Sequence, residues 1–154
     1  MYDERAELLD VYRSTPVILE ALLRDLPPAA ARTAADGVGW SILEVVAHLG
    51  DTEERALARV RRMVHKDDPE LPGYDEAALA VERRYREMEL GEALRRFVAL
   101  RAEQVAELAG LAPEAWARTG RHQEVGPITV RSLTAHMAAH DAVHLAQIAR
   151  LIRR

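Results

Sequence analysis

The segment His136-Met-Ala-Ala-His140-Asp-Ala-Val-His144-Leu-Ala-Gln147-Ile148 holds three of the chain's six histidines. It reads as helix, and side chains four residues apart on a helix lie one turn apart on one face, with Cβ atoms about 5–6 Å from each other. Two neutral imidazoles placed in this way, such as His140 and His144, can chelate one divalent ion. A third nitrogen is available on a different expected helix, at His48 in Trp40-Ser-Ile-Leu-Glu-Val-Val-Ala-His48-Leu-Gly-Asp51. Three protein ligands leave a position for water or substrate, which is the arrangement of catalytic rather than structural sites. Cysteine is absent, so a transition metal here must be held by histidine and carboxylate.

His136 adds a further candidate. Each four-residue step advances a helix by about 400°, so side chains drift by ~40° per step. His136 and His144 are therefore two turns and about 80° apart, too far for both to bind one ion with His140 between them. One end of the triplet must be left out, and the spacing does not say which. The competing reading of all these histidines is structural: partly buried rings that hydrogen-bond to backbone or to each other.

Other groups invite roles around such an ion. Asp51, three residues after His48, is either an outer acceptor or base, or a solvated charge opening the Asp51-Thr-Glu-Glu54 run. Asp141 is rotated ~100° from His140 and cannot face the same ion; it belongs to the surface or to a helix interface. Gln147, one turn beyond His144, can orient that ring's second nitrogen or pack against a neighbouring helix. Trp40 can line a pocket mouth or staple the helix start. His65 and His122 are assigned to solvent.

The elements that must position these residues are helical. Leu8, Leu9, Tyr12, Pro16, Ile18, Leu19, Leu22 and Leu23 recur with helical period, giving a first helix over roughly 3–25, kinked at Pro16 and stopped by Pro27-Pro28. After a Gly37–Trp40 loop, Ser41 and Glu44 have capping-box spacing for a second helix running to about Val64. His65–Tyr74, with Pro69 and Pro72, is a long connection. A third helical region covers about Asp75 to Leu108 with a break near Leu90-Gly91, Pro113–Trp116 forms one turn, and Gly120–Pro127 is loop with at most a short extended segment. The last helix starts near Thr129 and carries the histidines. No run alternates long enough to suggest a sheet. The class is all-α: a four-helix bundle with a long connection between its second and third helices, not necessarily in simple up-down order.

At 154 residues this is one domain, 1–154, large enough to bury a core without staples. A net charge of −4 with mixed signs gives no basis for wrapping a polyanion, so no nucleic-acid partner is expected. The acidic start Met1-Tyr-Asp-Glu leads into no apolar run, so neither a signal peptide nor a membrane span is expected, and the protein is placed in the cytoplasm.

The pattern Trp40…His48-Leu-Gly-Asp51 followed by His140-Asp-Ala-Val-His144-Leu-Ala-Gln147-Ile148 resembles the DinB-like superfamily of bacterial four-helix bundles, which includes YfiT-type metal-dependent hydrolases. The resemblance covers essentially the whole chain. It implies a divalent ion, nickel or zinc, bound by His48, His140 and His144, with His136 left out. It also implies a small-molecule substrate and one of two chemistries: hydrolysis, or transfer or isomerisation dependent on a low-molecular-weight thiol such as bacillithiol or mycothiol. Members commonly pair, which implies a homodimer. The alternative is a non-catalytic, metal-stabilised bundle that binds a small ligand or serves in a stress response. Familiar members carry a second histidine before the last ligand and Arg-Gly after it, where this chain has Val143 and Leu145-Ala146, so no subfamily activity follows.

Overall fold

The computed structural model describes residues 3–34 and 39–153. Gly37 and Val38 of the expected loop, together with Met1, Tyr2 and Arg154, lie outside the described residues. In chain order the elements are α1 (Glu4–Leu23), α2 (Pro28–Ala31), α3 (Ile42–His65), β1 (Glu70–Leu71), α4 (Glu76–Glu82), a 3-10 turn (Tyr85–Glu87), α5 (Leu90–Ala109), a second 3-10 turn (Pro113–Ala117), β2 (Thr119–His122), β3 (Gly126–Thr129) and α6 (Val130–Ile152). The long helices α1, α3, α5 and α6 form the bundle, as the apolar periodicity requires. α1 and α3 each pack against both α5 and α6, so the first two long helices stand at opposite corners, which a simple up-down order would not produce.

The helix starts follow local chemistry. Ser41 Oγ accepts from the Glu44 N–H at 3.3 Å while the Ser41 N–H donates to Glu44 Oε2 at 2.9 Å, so the expected capping box forms and begins α3. Thr129 and Ser132 close the same reciprocal pair ahead of α6.

Two expectations need correction. The third helical region breaks over 83–89, before Leu90-Gly91, which instead opens α5. Arg84 there has a left-handed backbone, φ 54°, and Tyr85 turns inward to Asp51; a long-range contact, invisible to periodicity, ends the helix. A small sheet also exists: β1 lies parallel to β2, and β2 pairs antiparallel with β3. Strands of two to four residues are too short for alternation to register. The sheet sits against the bundle at Gly120, where an added Cβ would fall 2.7 Å from Leu71 Cδ1 and 2.9 Å from Met63 Cγ, so only glycine allows that approach. Gly126, with φ 80°, supplies the left-handed residue of the turn.

The core has two apolar clusters, one containing Leu19, Leu49, Phe97 and Ile148, the other Tyr12, Ala56, Leu108 and Met137. Along each long helix a polar residue separates them: Thr15 on α1, Glu53 on α3, Arg101 on α5 and Asp141 on α6, all buried. Arg101 donates to both Glu53 oxygens, each at 2.8 Å, and to Asp141 Oδ2 and Oδ1 at 2.8 and 3.1 Å. Its last N–H goes to the Tyr12 carbonyl at 3.3 Å, so all five guanidinium donors are used. That carbonyl is free because residue 16 is proline: Pro16 lacks the N–H that would have bonded back to Tyr12. Asp141 is thus interhelical, and Thr15 Oγ1 donates to it at 3.0 Å.

Removing the guanidinium would strand two buried carboxylates. Arg101→Leu is therefore expected to cost about 3–5 kcal/mol of unfolding free energy, and Arg101→Lys to recover only part of it, because an ammonium cannot fill a five-donor fork. Urea unfolding checks this; a loss under about 1 kcal/mol for Arg101→Leu would remove the network from its structural role.

Candidate metal centre

Three imidazoles converge between α3 and α6. His48, on the fully buried first half of α3, places its Nε2 3.1 Å from His140 Nε2, and His144 Nε2 lies 3.1 Å from the same atom. One nitrogen from each ring falls within 4.8 Å of the others, a group that could hold a metal ion. Nitrogens bound tetrahedrally to one ion at 2.0–2.1 Å sit about 3.3 Å apart, close to the spacing of these pairs.

The tautomers favour the same use. His144 Nδ1 is 2.8 Å from Gln147 Oε1; the amide oxygen accepts, so Nδ1 carries the proton and Nε2 presents a lone pair inward. His140 Nε2 then faces two neighbours at 3.1 Å and has at most one proton to share between them. A cation relieves the converging lone pairs, and the donor set fits one. His140 Nδ1 is buried without a hydrogen-bond partner among the described residues.

Burial keeps the His48 and His140 rings neutral. Desolvation, followed by the charges of His144 and His140, lowers His48 from the usual 6.5 to about 3. Desolvation, then His144, His136 and Arg101, lowers His140 to about 4. The Trp40 ring covers His48, with centroids 4.8 Å apart, and leans edge-on to Tyr85 at 6.2 Å; the tryptophan is a wall of the cluster on its apolar side. On the other side His140 opens into a cavity of about 550 Å³ between α3, α6 and the β2–β3 hairpin.

The remaining candidates separate clearly. Gln147 orients His144, as its spacing suggests. His136 lies outside the cluster, its ring centroid 6.5 Å from that of His140, and lines the cavity. Asp51 is neither a solvated charge nor a partner of the histidines: it is buried and bound by Arg83 at 2.6 Å, Arg96 at 2.7 Å and the Tyr85 hydroxyl at 2.5 Å. Its neighbours Arg83 and Tyr85 come from the helix break, which no local pattern marks. His65 is exposed as expected. His122 is half-buried on β2 and lines the cavity, contrary to its assignment to solvent. Its position follows from the strand that sequence periodicity misses.

These features define a helical bundle that gathers three imidazoles at the inner end of an open cleft. The chain belongs to the DinB superfamily, whose family model matches residues 12–148. A relative from Oceanobacillus iheyensis, named "putative metal-dependent hydrolase", is 27% identical over 148 residues, spanning 96% of this chain and 86% of its own. Among solved structures, YfiT of Bacillus subtilis, described as a probable metal-dependent hydrolase with an unusual four-helix bundle topology, superposes with a TM-score of 0.91 at 22% identity, over 100% of this chain and 90% of its own. The four-helix bundle protein TT2238 matches with a TM-score of 0.70 at 24% identity, over 95% and 98% of the two chains. A Streptococcus pneumoniae protein matches with 0.72 at 14% identity, over 97% and 91%. The fold is the DinB-like four-helix bundle. Among the described residues no helix is long and apolar enough to cross a membrane.

The lowered histidines set a pH dependence for the metal-free protein. The unfolded chain takes up protons at His48 and His140 near pH 6.5, whereas the folded protein refuses them until about pH 3 at His48 and about pH 4 at His140. The unfolded state binds more protons across that window, so stability should fall as pH drops below 6.5, with no contribution from these two rings above it. Urea midpoints of chelator-treated protein at pH 8, 6 and 5 measure this. The fall should be smaller in His48→Gln; an equal fall in that variant would assign it to other groups.

Proposed function

We propose that the protein is a metal-dependent hydrolase in which His48, His140 and His144 hold one divalent ion, nickel or zinc, and a small molecule reacts at the cleft end of the cluster. The observation that carries this reading is the convergence of three imidazole Nε2 atoms from α3 and α6 beside an open cavity. A nitrogen-rich donor set without sulfur suits these ions. The names of the Oceanobacillus relative and of YfiT support the same class. An ion there supplies Lewis acidity to whatever it coordinates.

The chain's own groups prepare the site. Gln147 fixes the His144 tautomer, burial keeps His48 and His140 unprotonated, and Trp40 closes the apolar side so that access is from the cavity. That access supports an enzyme over a metal-stabilised structural bundle, whose ion would be sealed. A thiol-dependent transfer uses the same ion and the same cleft, and is separated from hydrolysis by assay. Val11, Val17 and Ile18, exposed on α1, suit the homodimer expected from family resemblance; a monomeric mass at micromolar concentration would remove it.

Purified protein should contain about one divalent ion per chain. His48→Ala, His140→Ala and His144→Ala should each lose it, and His136→Ala should keep it; metal retained in one of the first three would strike that residue from the ligand set. Added metal should raise the melting temperature more at pH 8 than at pH 5, because protons compete for the ligand nitrogens. Chelator-sensitive cleavage across an ester and amide panel, absent in His140→Ala, tests the chemistry. Conjugation of added thiols without cleavage would move the protein to the transferases, and tight metal binding with neither activity would favour the structural bundle.

A further inference from the structure

One stripe of α3 runs away from the histidines at helical spacing: His48, Thr52, Arg55 and Arg59. Thr52 and Arg59 line the same cavity as His140. Arg55 and Arg59 both lie against the Tyr74 ring, with Cζ 4.0 and 5.9 Å from its centroid. Arg59 donates to the Pro72 carbonyl at 2.9 Å, and Arg55 Nε is buried with no hydrogen-bond partner among the described residues.

These two are unlike the other enclosed arginines. Arg5, Arg83, Arg96, Arg101 and Arg118, each buried or half-buried, all have a carboxylate partner. Among the described residues Arg55 and Arg59, also half-buried, form no ion pair. Two like charges one turn apart repel, and enclosing them without a counter-ion is costly. Burial holds Arg59 below the usual guanidinium value, and Arg55 adds to the effect. Glu76 and Glu124 line the cavity but are exposed, and Glu124 acts on Arg59 only at longer range. His122 adds a donor on this side: its Nδ1 accepts from the Glu124 N–H at 3.2 Å, which leaves the proton of the neutral ring on Nε2.

We infer that this end of the cleft is an oxyanion subsite, and that the substrate is an elongated organic anion. Its carboxylate or phosphate pairs with Arg59, Arg55 adds positive charge from one turn away, and its apolar body lies along Ile128, Leu133 and Met137. At 1.5 Å per residue, the two arginines stand about 10 and 16 Å along α3 from His48, so the reacting group is remote from the charged one. The proposal rests on the three-histidine cluster being the reacting end; the subsite itself can be tested without any ion.

Calorimetric titration of the purified full chain with octanoate, octyl phosphate, octanol and octylammonium tests it, before and after chelator treatment. At least one of the two anions should bind about tenfold or more tightly than the alcohol or the amine, the effect of one charge-assisted hydrogen bond. Which anion binds tighter identifies the headgroup. Arg59→Gln should lower that affinity by a similar factor and Arg55→Gln by a smaller one, both leaving octanol binding unchanged, and Arg59→Lys should recover part of the loss. Alcohol binding as tightly as both anions, or an affinity for the anions that survives both glutamine variants, would overturn the subsite. So would anion binding that disappears on chelation, since the anion would then have been on the ion. Arginine-dependent binding in a protein that holds no metal would keep the subsite and remove the metal-dependent reading.

Discussion

The guanidinium of Arg101 is the constraint on which the bundle's geometry depends. Five donors in a fixed plane meet five acceptors from three other helices, on Glu53, Asp141 and the Tyr12 carbonyl. Such a fork tolerates little rotation of any helix, whereas the apolar clusters on either side would accept many repackings at similar cost. The Arg101 Cζ lies 4.3 Å from the Tyr12 ring centroid and 4.9 Å from that of Phe97, so the layer is also packed into the two clusters it separates. Burial alone would make this layer expensive; complete pairing makes it specific.

The histidine cluster depends on this layer. Asp141 is one residue after His140, and its two bonds to Arg101 fix the rotation of α6 at that point. A residue ~100° away around the helix then faces α3, where Glu53, held by the same guanidinium, fixes the facing surface five residues beyond His48. The imidazoles meet because carboxylates within five residues of them in sequence are tied to one cation on α5. Pro16 contributes from α1 by leaving the Tyr12 carbonyl unpaired, so a residue that weakens one helix supplies an acceptor to the whole bundle.

The segment between α3 and α5 performs a second positioning task. Asp51 is bound by Arg83, Arg96 and Tyr85, and Tyr85 in turn supports Trp40 against His48. The apolar wall of the cluster is thereby connected to a buried carboxylate, and the opposite side stays open through the hairpin that Gly120 seats against Leu71 and Met63. The asymmetry of the site, closed by Trp40 and open toward Arg59, comes from these connections rather than from the four long helices.

Local rules in the sequence determined a great deal here. Apolar periodicity marked the four long helices, the Ser41 and Glu44 pair marked the start of α3, and the four-residue spacing put His140 and His144 on one face with Gln147 in reach of the second. Each of these depends on residues within one or two turns of each other, so the order along the chain is enough. Which end of the histidine triplet turns away was not legible, because spacing alone treats His136 and His144 alike; family resemblance pointed to His144, and only the rotation of α6 against α3 brings that ring to the cluster. Asp51, read from its neighbours as a surface charge or a helper of the histidines, became a buried anchor because Arg83, Arg96 and Tyr85 reach it from more than thirty positions away. His122 entered the cleft through a strand too short to announce itself. Tertiary structure decided these points because burial and charge pairing are properties of neighbours in space, and an isolated helix gives no information about what packs against it.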